Sequence, residues 1–438
     1  MKNTHYLILV LVTVISLSKG YTQEFKIDAD IRPRAEYLHG FGNLIPQDTD
    51  AALFIQQRSR IKFSFNDAKF SAYLSLQDVS VWGDTPQIAA SDGNDSFSIA
   101  QAWINFNFNN NWSTKIGRQI LSYDDQRILG GLDWAMQGRF HDALLLQYKN
   151  ESKLKLDLGL SFNQNGISTQ NTLFDPNNGG NVRAVFDYKG MIYGWLHKDW
   201  ETISGSLLVV NNSYQNLDPI DGQTPVDGTI NRQTFGTHIN AKPAKGFTLL
   251  ANAYLQTGEF AENVDLSAYN ALLELNYKPG NILYSLGAEI LSGDDNGGAD
   301  GKIESFFPIF GTNHKFNGYM DYFYVGNHAN NIGLLDFYAK TVIKTGEKSN
   351  LLAAIHYFKG AKDLPGEDDN YLGTEIDLVF TQKLLSYATL KIGYSQMFAS
   401  DSMKVLKNVP NASGLQNWGW VMLVVKPNFL TWKSNTKE

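Results

Sequence analysis

The segment FKIDADIRPRAEYL, from Phe25 to Leu38, alternates apolar and ionic side chains almost residue by residue. In a β-strand, successive side chains point to opposite faces of the sheet. One face of this strand is therefore apolar, and the other carries charges. A soluble sheet alternates in the same way, so the assignment depends on recurrence. The apolar face comprises Phe25, Ile27, Ala29, Ile31, Ala35 and Tyr37, and the ionic face comprises Lys26, Asp28, Asp30, Arg32, Arg34 and Glu36.

The same alternation recurs along the chain and predicts 18 strands, whose connections are short and long in turn. Short turns at one rim and long loops at the other are typical of a transmembrane β-barrel, whereas a sandwich or a propeller has no reason to separate them. We therefore predict an all-β fold: a transmembrane antiparallel β-barrel of about 18 strands, with short periplasmic turns and long extracellular loops. The predicted strands are 25–38, 53–66, 69–80, 97–108, 112–120, 141–149, 153–163, 186–198, 202–212, 232–242, 246–257, 265–278, 281–292, 331–343, 350–359, 370–382, 386–398 and 417–427, and the predicted long loops are 39–52, 83–96, 121–140, 164–185, 213–231, 293–330 and 399–416.

The first 20 residues resemble a secretory signal. Met1-Lys2 is followed by YLILVLVTVISLS at 6–18, an uncharged run of 13 residues. This is shorter than the roughly 20 residues that a transmembrane helix needs. It suits a signal peptide cleaved before Tyr21. We predict a signal peptide at 1–20 and an outer-membrane barrel of a Gram-negative cell at 21–438.

Composition restricts the possible functions. The 438 residues include 37 Lys and Arg, 44 Asp and Glu, a net charge of -7 and no Cys. Disulfides, thiolate metal sites and cysteine nucleophiles are therefore excluded. The mild negative charge does not suit a nucleic-acid partner. The chain also lacks HExxH, GxSxG and Walker motifs, so we predict neither an enzyme nor a cofactor.

Cations alternate along the ionic faces of the first two predicted strands. An 18-stranded barrel encloses an aqueous lumen, and rows of Arg and Lys in a lumen favour anions. The planar Arg fork suits carboxylates in particular. Alternatively, the interleaved acids Asp28, Asp30 and Glu36 neutralise these cations in a structural lattice. The candidate lumen cations are Arg32, Arg34, Arg58, Arg60 and Lys62.

The densest cluster of charge and glycine is GRQILSYDDQRILGGLDWAMQGRFHD at 117–142. Together with GTNHKF at 311–316 and MDYF at 320–323, it resembles the alginate-export family of outer-membrane porins. The resemblance implies a monomeric 18-stranded barrel that passes an anionic uronate polysaccharide. Carried over to this chain, it implies that the motif cations Arg118, Arg127 and Arg139 line the pore, with Asp125, Asp133 and Asp142 as their partners. These pairs equally fit a brace that folds a long loop back into the lumen.

Three functions are compatible with the sequence. They are a channel for anionic oligo- or polysaccharide, a general diffusion porin with little charge preference, and a surface-binding barrel that does not conduct. The direction of transport, export or uptake, and any periplasmic partners that serve it are not determined by the sequence.

One loop segment, GDDNGGADG at 293–301, has the oxygen-rich, glycine-turned composition of a calcium site. It lacks the EF-hand spacing and its terminal Glu, so we favour a solvated loop without metal. The candidate calcium ligands are Asp294, Asp295 and Asp300.

Overall fold

The computed structural model describes residues 23–84, 97–163, 188–217, 225–328, 331–364 and 369–434, and these form a closed antiparallel β-barrel. Strands that are neighbours in the chain pair with each other around the wall, with registers that need few shifts. The predicted fold class and the count of 18 spanning strands are confirmed. The strands are β1 (Glu24–His39), β2 (Ala52–Asn66), β3 (Phe70–Val81), β4 (Phe97–Asn107), β5 (Trp112–Gln119), β6 (His141–Lys149), β7 (Leu154–Phe162), β8 (Gly190–Asp199), β9 (Ile203–Leu217), β10 (Pro225–Ala241), β11 (Phe247–Ala261), β12 (Val264–Tyr277), β13 (Ile282–Leu291), β14 (Lys302–Ile303), β15 (Leu334–Lys344), β16 (Ser349–Lys359), β17 (Tyr371–Leu385), β18 (Ala388–Ala399), β19 (Leu415–Val425) and β20 (Asn428–Lys433).

The barrel closes where the end of the chain returns to β1. The upper half of β1 pairs with β19, for example at Tyr37↔Gly419, and its lower half pairs with β20, from Glu24↔Lys433. The two pieces form one spanning strand, interrupted at Pro427, which has no N–H to donate to the ladder. The remaining extra strand, β14, is a two-residue pairing with β12 inside a loop. The 20 strand segments therefore form the 18 strands of the barrel wall.

Apolar side chains face outward on every part of the wall. Leu286 is 65% exposed at the middle of β13, whereas the preceding residue, Ser285, points inward and is buried. In a bilayer these outward side chains meet lipid, and closure leaves no unpaired strand edge. Among the described residues, the helices are a 3₁₀ turn at Asn313–Lys315, α1 (Val325–His328) and α2 (Asp401–Leu406), none of which is long and apolar enough to cross a membrane.

Some predicted boundaries were wrong. The predicted loop 213–231 is mostly strand, because β9 continues to Leu217 and β10 begins at Pro225. Polar side chains of this segment pair across the two strands, for example Ser213 Oγ, which donates to Asn231 Oδ1 at 2.6 Å. The predicted signal peptide and most of the predicted loops 83–96 and 164–185 lie outside the described residues.

The buried core lies inside the barrel, where long loops fold inward. Two of these loops pack against each other there. We call residues 120–140, between β5 and β6, the constriction loop, and residues 304–328, between β13 and β15, the plug loop. Their apolar side chains form the centre of the core, including Leu121, Leu129, Met136, Phe306, Phe310, Met320 and Tyr322, each at most 5% exposed.

Candidate functional site

The constriction loop is held against the inner wall by a ladder of arginines from β1 and β2. Its backbone carbonyls have no strand partner, and a buried carbonyl without a partner is costly. The ladder arginines donate to four of them. The pairs are Arg32 Nη1 to Asp133 O at 2.7 Å, Arg34 Nη1 to Trp134 O at 3.1 Å, Arg58 Nη1 to Met136 O at 3.5 Å and Arg60 Nη2 to Gln137 O at 2.9 Å.

The register of the two strands explains why the ladder is continuous. Arg32 and Arg58 are Cα partners across β1 and β2, and paired residues point to the same face. The other two arginines lie two residues away along the same inward face, a step of roughly 6.6 Å. A loop running across this face therefore meets a guanidinium at four of the five carbonyls from Asp133 to Gln137, and the fifth, Ala135 O, accepts from Gly138 N.

Asp133 adds a carboxylate to the ladder. Its oxygens lie 3.1 Å from Arg32 Nη2, 3.0 Å from Arg58 Nη1 and 3.8 Å from Arg60 Nη1. Burial opposes ionisation of Asp133, but Arg32 and Arg58 outweigh it and hold the pKa of this carboxyl below its usual value. The side chain remains 63% exposed toward the open part of the lumen.

Further cations surround the same place. Asp30 on β1 receives Arg58 at 2.9 Å, Lys62 at 3.4 Å and Lys426 at 4.0 Å. Lys391 on β18 lies within electrostatic reach of Arg32 and Asp133. We call the set of six cations and three carboxylates the cationic cluster, with an excess of three positive charges. It consists of Arg32, Arg58, Arg60, Lys62, Lys391 and Lys426 with Asp28, Asp30 and Asp133.

Aromatic rings line the inner wall beside the cationic cluster. The Arg34 guanidinium lies 4.3 Å from the ring centre of Trp134, and the Lys115 ammonium lies 4.0 Å from that of Trp103. Trp103 in turn stacks on Tyr73 with ring centres 5.4 Å apart. Cation–π contacts of this kind hold long cationic side chains in one orientation without neutralising their charge.

The plug loop and the constriction loop touch backbone to backbone. Gly130 N donates to Phe310 O at 2.8 Å, and Thr312 N donates to Gln126 O at 2.9 Å. A Cβ on Gly130 would lie 2.4 Å from Thr312 Oγ1, and a Cβ on Gly311 would lie 2.2 Å from Arg127 O. The close approach therefore requires glycine at one position in each sequence motif, Gly130 in the first and Gly311 in the second.

Arg127 fastens both loops to the wall. It is buried, forms an ion pair with Glu289 of β13, and lies with its guanidinium carbon 3.7 Å from the ring centre of Phe316. Asn317 also donates to Glu289, at 2.9 Å, and to Asp336 at 3.2 Å. Removing one partner of a buried ion pair typically costs about 3–5 kcal/mol, because the other charge is left buried without a partner, so Arg127 and Glu289 each require the other in this position.

Several predicted site residues lie elsewhere than expected. Arg118 and Asp142 form an ion pair at 2.8 Å, but on the outer face, in line with the lipid-facing Ile116 and Leu144. They do not line the lumen, because strand alternation places them with the outward residues. Arg139 donates to Gly311 O and to Tyr324, inside the loop packing.

Asp125 is also not the partner of a motif cation. Its carboxylate accepts from Arg127 N at 3.1 Å and from Asn252 Nδ2 at 2.6 Å. Of the implied pairs, the structure therefore forms Arg118–Asp142, and replaces the others with Arg127–Glu289 and the arginine ladder on Asp133. The sequence analysis missed Lys391 and Lys426, although pairing the last strand with the first would have placed them beside β1.

The candidate calcium loop is organised by hydrogen bonds of its own. Both carboxylate oxygens of Asp294 accept backbone N–H groups, from Asn296 and Gly297 on one side and from Glu304 on the other. Asp300 accepts from Lys302 N. Within the described ranges, no group of three or more His, Asp or Glu side chains is arranged to hold a metal ion.

Comparison with known proteins agrees with this architecture. The family model described as alginate export matches residues 23–409. The outer membrane protein OpdK from Pseudomonas aeruginosa superimposes with a TM-score of 0.57 at 11% identity, covering 93% of this chain and 99% of its own. OccAB4 from Acinetobacter baumannii gives 0.59 at 10% identity, covering 94% and 99%. OpdQ from Pseudomonas aeruginosa gives 0.58 at 11%, covering 93% and 98%. At this identity the similarity establishes the shared barrel fold, and a search among curated proteins found no matching sequence.

Proposed function

We propose, from the premise that this chain belongs to the alginate export family, that its outer-membrane channel passes anionic carbohydrate, in particular uronate-type oligo- or polysaccharide. The barrel is an integral outer-membrane protein, and the family and fold indicate a channel. The anionic cargo is our inference from the lumen.

The observation that carries the proposal is the cationic cluster beside the constriction loop. Cations at a narrow place in a low-dielectric pore concentrate anions and replace part of their lost hydration. The arginines are occupied with the loop, so contact with a passing anion falls to Lys62 and Lys426, which are 21% and 50% exposed, and to Lys391. The structural and the selective roles of the cations therefore coexist. The arginines hold the loop, and the lysines face the solute.

The loops also favour selective passage over general diffusion. An unfilled 18-stranded barrel leaves a wide aqueous channel. Here the constriction and plug loops occupy part of that space, and Asp133 of the constriction loop lies against arginines of the cationic cluster.

Reversal potentials in planar bilayers under a salt gradient test the proposal. We expect anion selectivity in the unaltered channel and a clear loss of it in the triple variant Lys62→Gln, Lys391→Gln, Lys426→Gln. Arg118→Gln is the matched control, since it removes a cation from the outer face. Cation selectivity in the unaltered channel, or an equal effect of the control, would contradict the proposal.

Blockade by added sugars identifies the class of cargo. We expect uronate oligomers to interrupt the current at concentrations where neutral oligosaccharides of the same length do not. Equal interruption by both would indicate a general diffusion porin. A complete absence of current would indicate a surface-binding barrel.

A further inference from the structure

The periplasmic turns on one side of the barrel are strongly basic. Four consecutive turns, from the β10–β11 connection to the β17–β18 connection, carry six lysines and one acid together with the strand ends beside them. All six lysines are exposed. The residues are Lys242, Lys245, Lys278, Lys344, Lys348 and Lys383, with Glu347.

Three of these lysines line a groove at the periplasmic mouth. The groove has a volume of about 310 Å³ and is formed by the ends of β12, β13, β15 and β16. Lys344 and Asn350 are Cα partners, and Lys344 N donates to Asn281 O at 3.0 Å, which joins the neighbouring turns. The lining comprises Lys278, Asn281, Leu283, Val342, Lys344, Glu347, Lys348, Ser349 and Asn350.

The groove faces the interior of the barrel. Leu283 and Val342 are paired on the face opposite to the lipid-exposed Tyr284 and Leu286. Among the described residues, no ion pair involves Lys278, Lys344 or Lys348, in contrast to Lys340 higher on the same wall, which lies 2.9 Å from Glu274. The groove therefore offers three ammonium groups and two amide side chains to a solute. Its one carboxylate, Glu347, forms no ion pair with these lysines among the described residues, and the lining keeps an excess of positive charge.

The extracellular end has the opposite charge. Exposed acids there include Asp48, Asp50, Glu259, Glu262, Asp265, Asp295 and Asp300. A polyanion approaching the two ends therefore meets repulsion at the extracellular loops and attraction at the periplasmic groove. This difference in charge between the two ends favours loading of a polyanion from the periplasmic side.

We propose that the groove of Lys278, Lys344 and Lys348 is a capture site for the carboxylates of an acidic sugar chain, which loads into the lumen from the periplasm. The inference rests on the proposed function, because it takes the same class of cargo. Three ammonium groups next to the amides of Asn281 and Asn350 match a sugar unit that bears both a carboxylate and hydroxyls. Above the groove, Lys340 lies over the ring of Tyr338 at 4.3 Å and is paired with Glu274, so, among the described residues, the unpaired ammonium groups of this part of the wall are those of the groove.

Blockade kinetics of single channels test this directly. A trimer or tetramer of a uronic acid is added first to one chamber and then to the other for each inserted channel. We expect the association rate to be higher from one side, and the double variant Lys278→Gln, Lys344→Gln to lower that rate about tenfold, within the range of electrostatic steering. The association rate measured from the slower side should change little in this variant. The difference between the sides should also shrink as salt is raised.

The matched control is Lys149→Gln with Lys153→Gln, which removes the same charge from a periplasmic turn on another part of the rim. Equal association rates from both sides, or an asymmetry that survives in the Lys278→Gln, Lys344→Gln variant, would overturn the capture site while leaving the proposed function intact. An equal loss in the control would also overturn it, because only total charge would then matter. Failure of uronate to block from either side would instead remove the proposed function.

Discussion

Arginine and lysine have different roles in this lumen, although the sequence places both on the same strand faces. The planar, multiply donating guanidiniums of Arg32, Arg58 and Arg60 reach backbone carbonyls and Asp133 together. Lys62 and Lys426 lie 3.4 Å and 4.0 Å from the carboxylate of Asp30, and their side chains stay partly exposed. The single ammonium of a lysine, carried by a flexible side chain, can pair with one carboxylate and still approach a solute.

From the ionisation of Asp133 we predict how the docking of the constriction loop, and with it the conductance, changes in acid. Its pKa in the docked loop lies below the ordinary value of 3.8, so the docked loop binds fewer protons than a released loop. The contribution of Asp133 to docking is therefore complete above pH 3.8 and is lost as the pH falls through the lower docked value. We expect constant single-channel conductance from pH 8 to about 4 and a rise below that.

The variant Asp133→Asn should behave at neutral pH as the unaltered channel does in acid. Because the side chain is 63% exposed, we expect the contact between the loop and the wall to weaken by about 1 kcal/mol or less. Asp142→Asn on the outer face is its control. Conductance that changes steeply between about pH 5 and 8 would show that another group governs the loop.

At the scale of single strands, alternation decides which face meets lipid. The apolar residues of β1 lie outward and its ionic residues lie inward, as the sequence analysis predicted. The same rule corrected the assignment of Arg118 and Asp142, whose spacing from Ile116 and Leu144 places them outward. That parity was readable from the sequence, but the motif resemblance suggested a lumen role instead.

Strand alternation also predicts the cost of a misplaced charge. Leu286→Arg puts a cation at the middle of the lipid face of β13, and we expect a loss of about 2–4 kcal/mol of unfolding free energy in lipid vesicles. The change Thr381→Arg, on the inward face of β17 opposite Lys391, should cost less than about 1 kcal/mol. Denaturant unfolding of both variants gives the comparison. Equal losses would mean that Leu286 does not face lipid.

At the scale of the whole molecule, the inward loops determine the width of the path. Replacing residues 306–324 of the plug loop with a short Gly-Ser linker should raise single-channel conductance at least about twofold, because an unfilled barrel of this size conducts freely. Excising the exposed turn 297–300 of the same connection is the control and should leave conductance unchanged. An unchanged current after the plug replacement would show that the ions do not pass this loop.

The barrel, its strand number and the side of each strand that faces lipid could all be predicted from the order of residues alone. These properties result from a period-two pattern, which is local and is repeated in every strand. Pairing of the first strand with the last is predictable as well, because a barrel must close.

Which charged side chains contact each other could be learned only from the folded molecule. Glu289 pairs with Arg127 across 162 residues, and Arg32 reaches Asp133 across 101. A long loop can enter the lumen at many heights and angles, and its contacts depend on the positions of all the strands of the wall together. The local pattern therefore fixes where a side chain points, and the closed barrel with its inward loops fixes what that side chain touches.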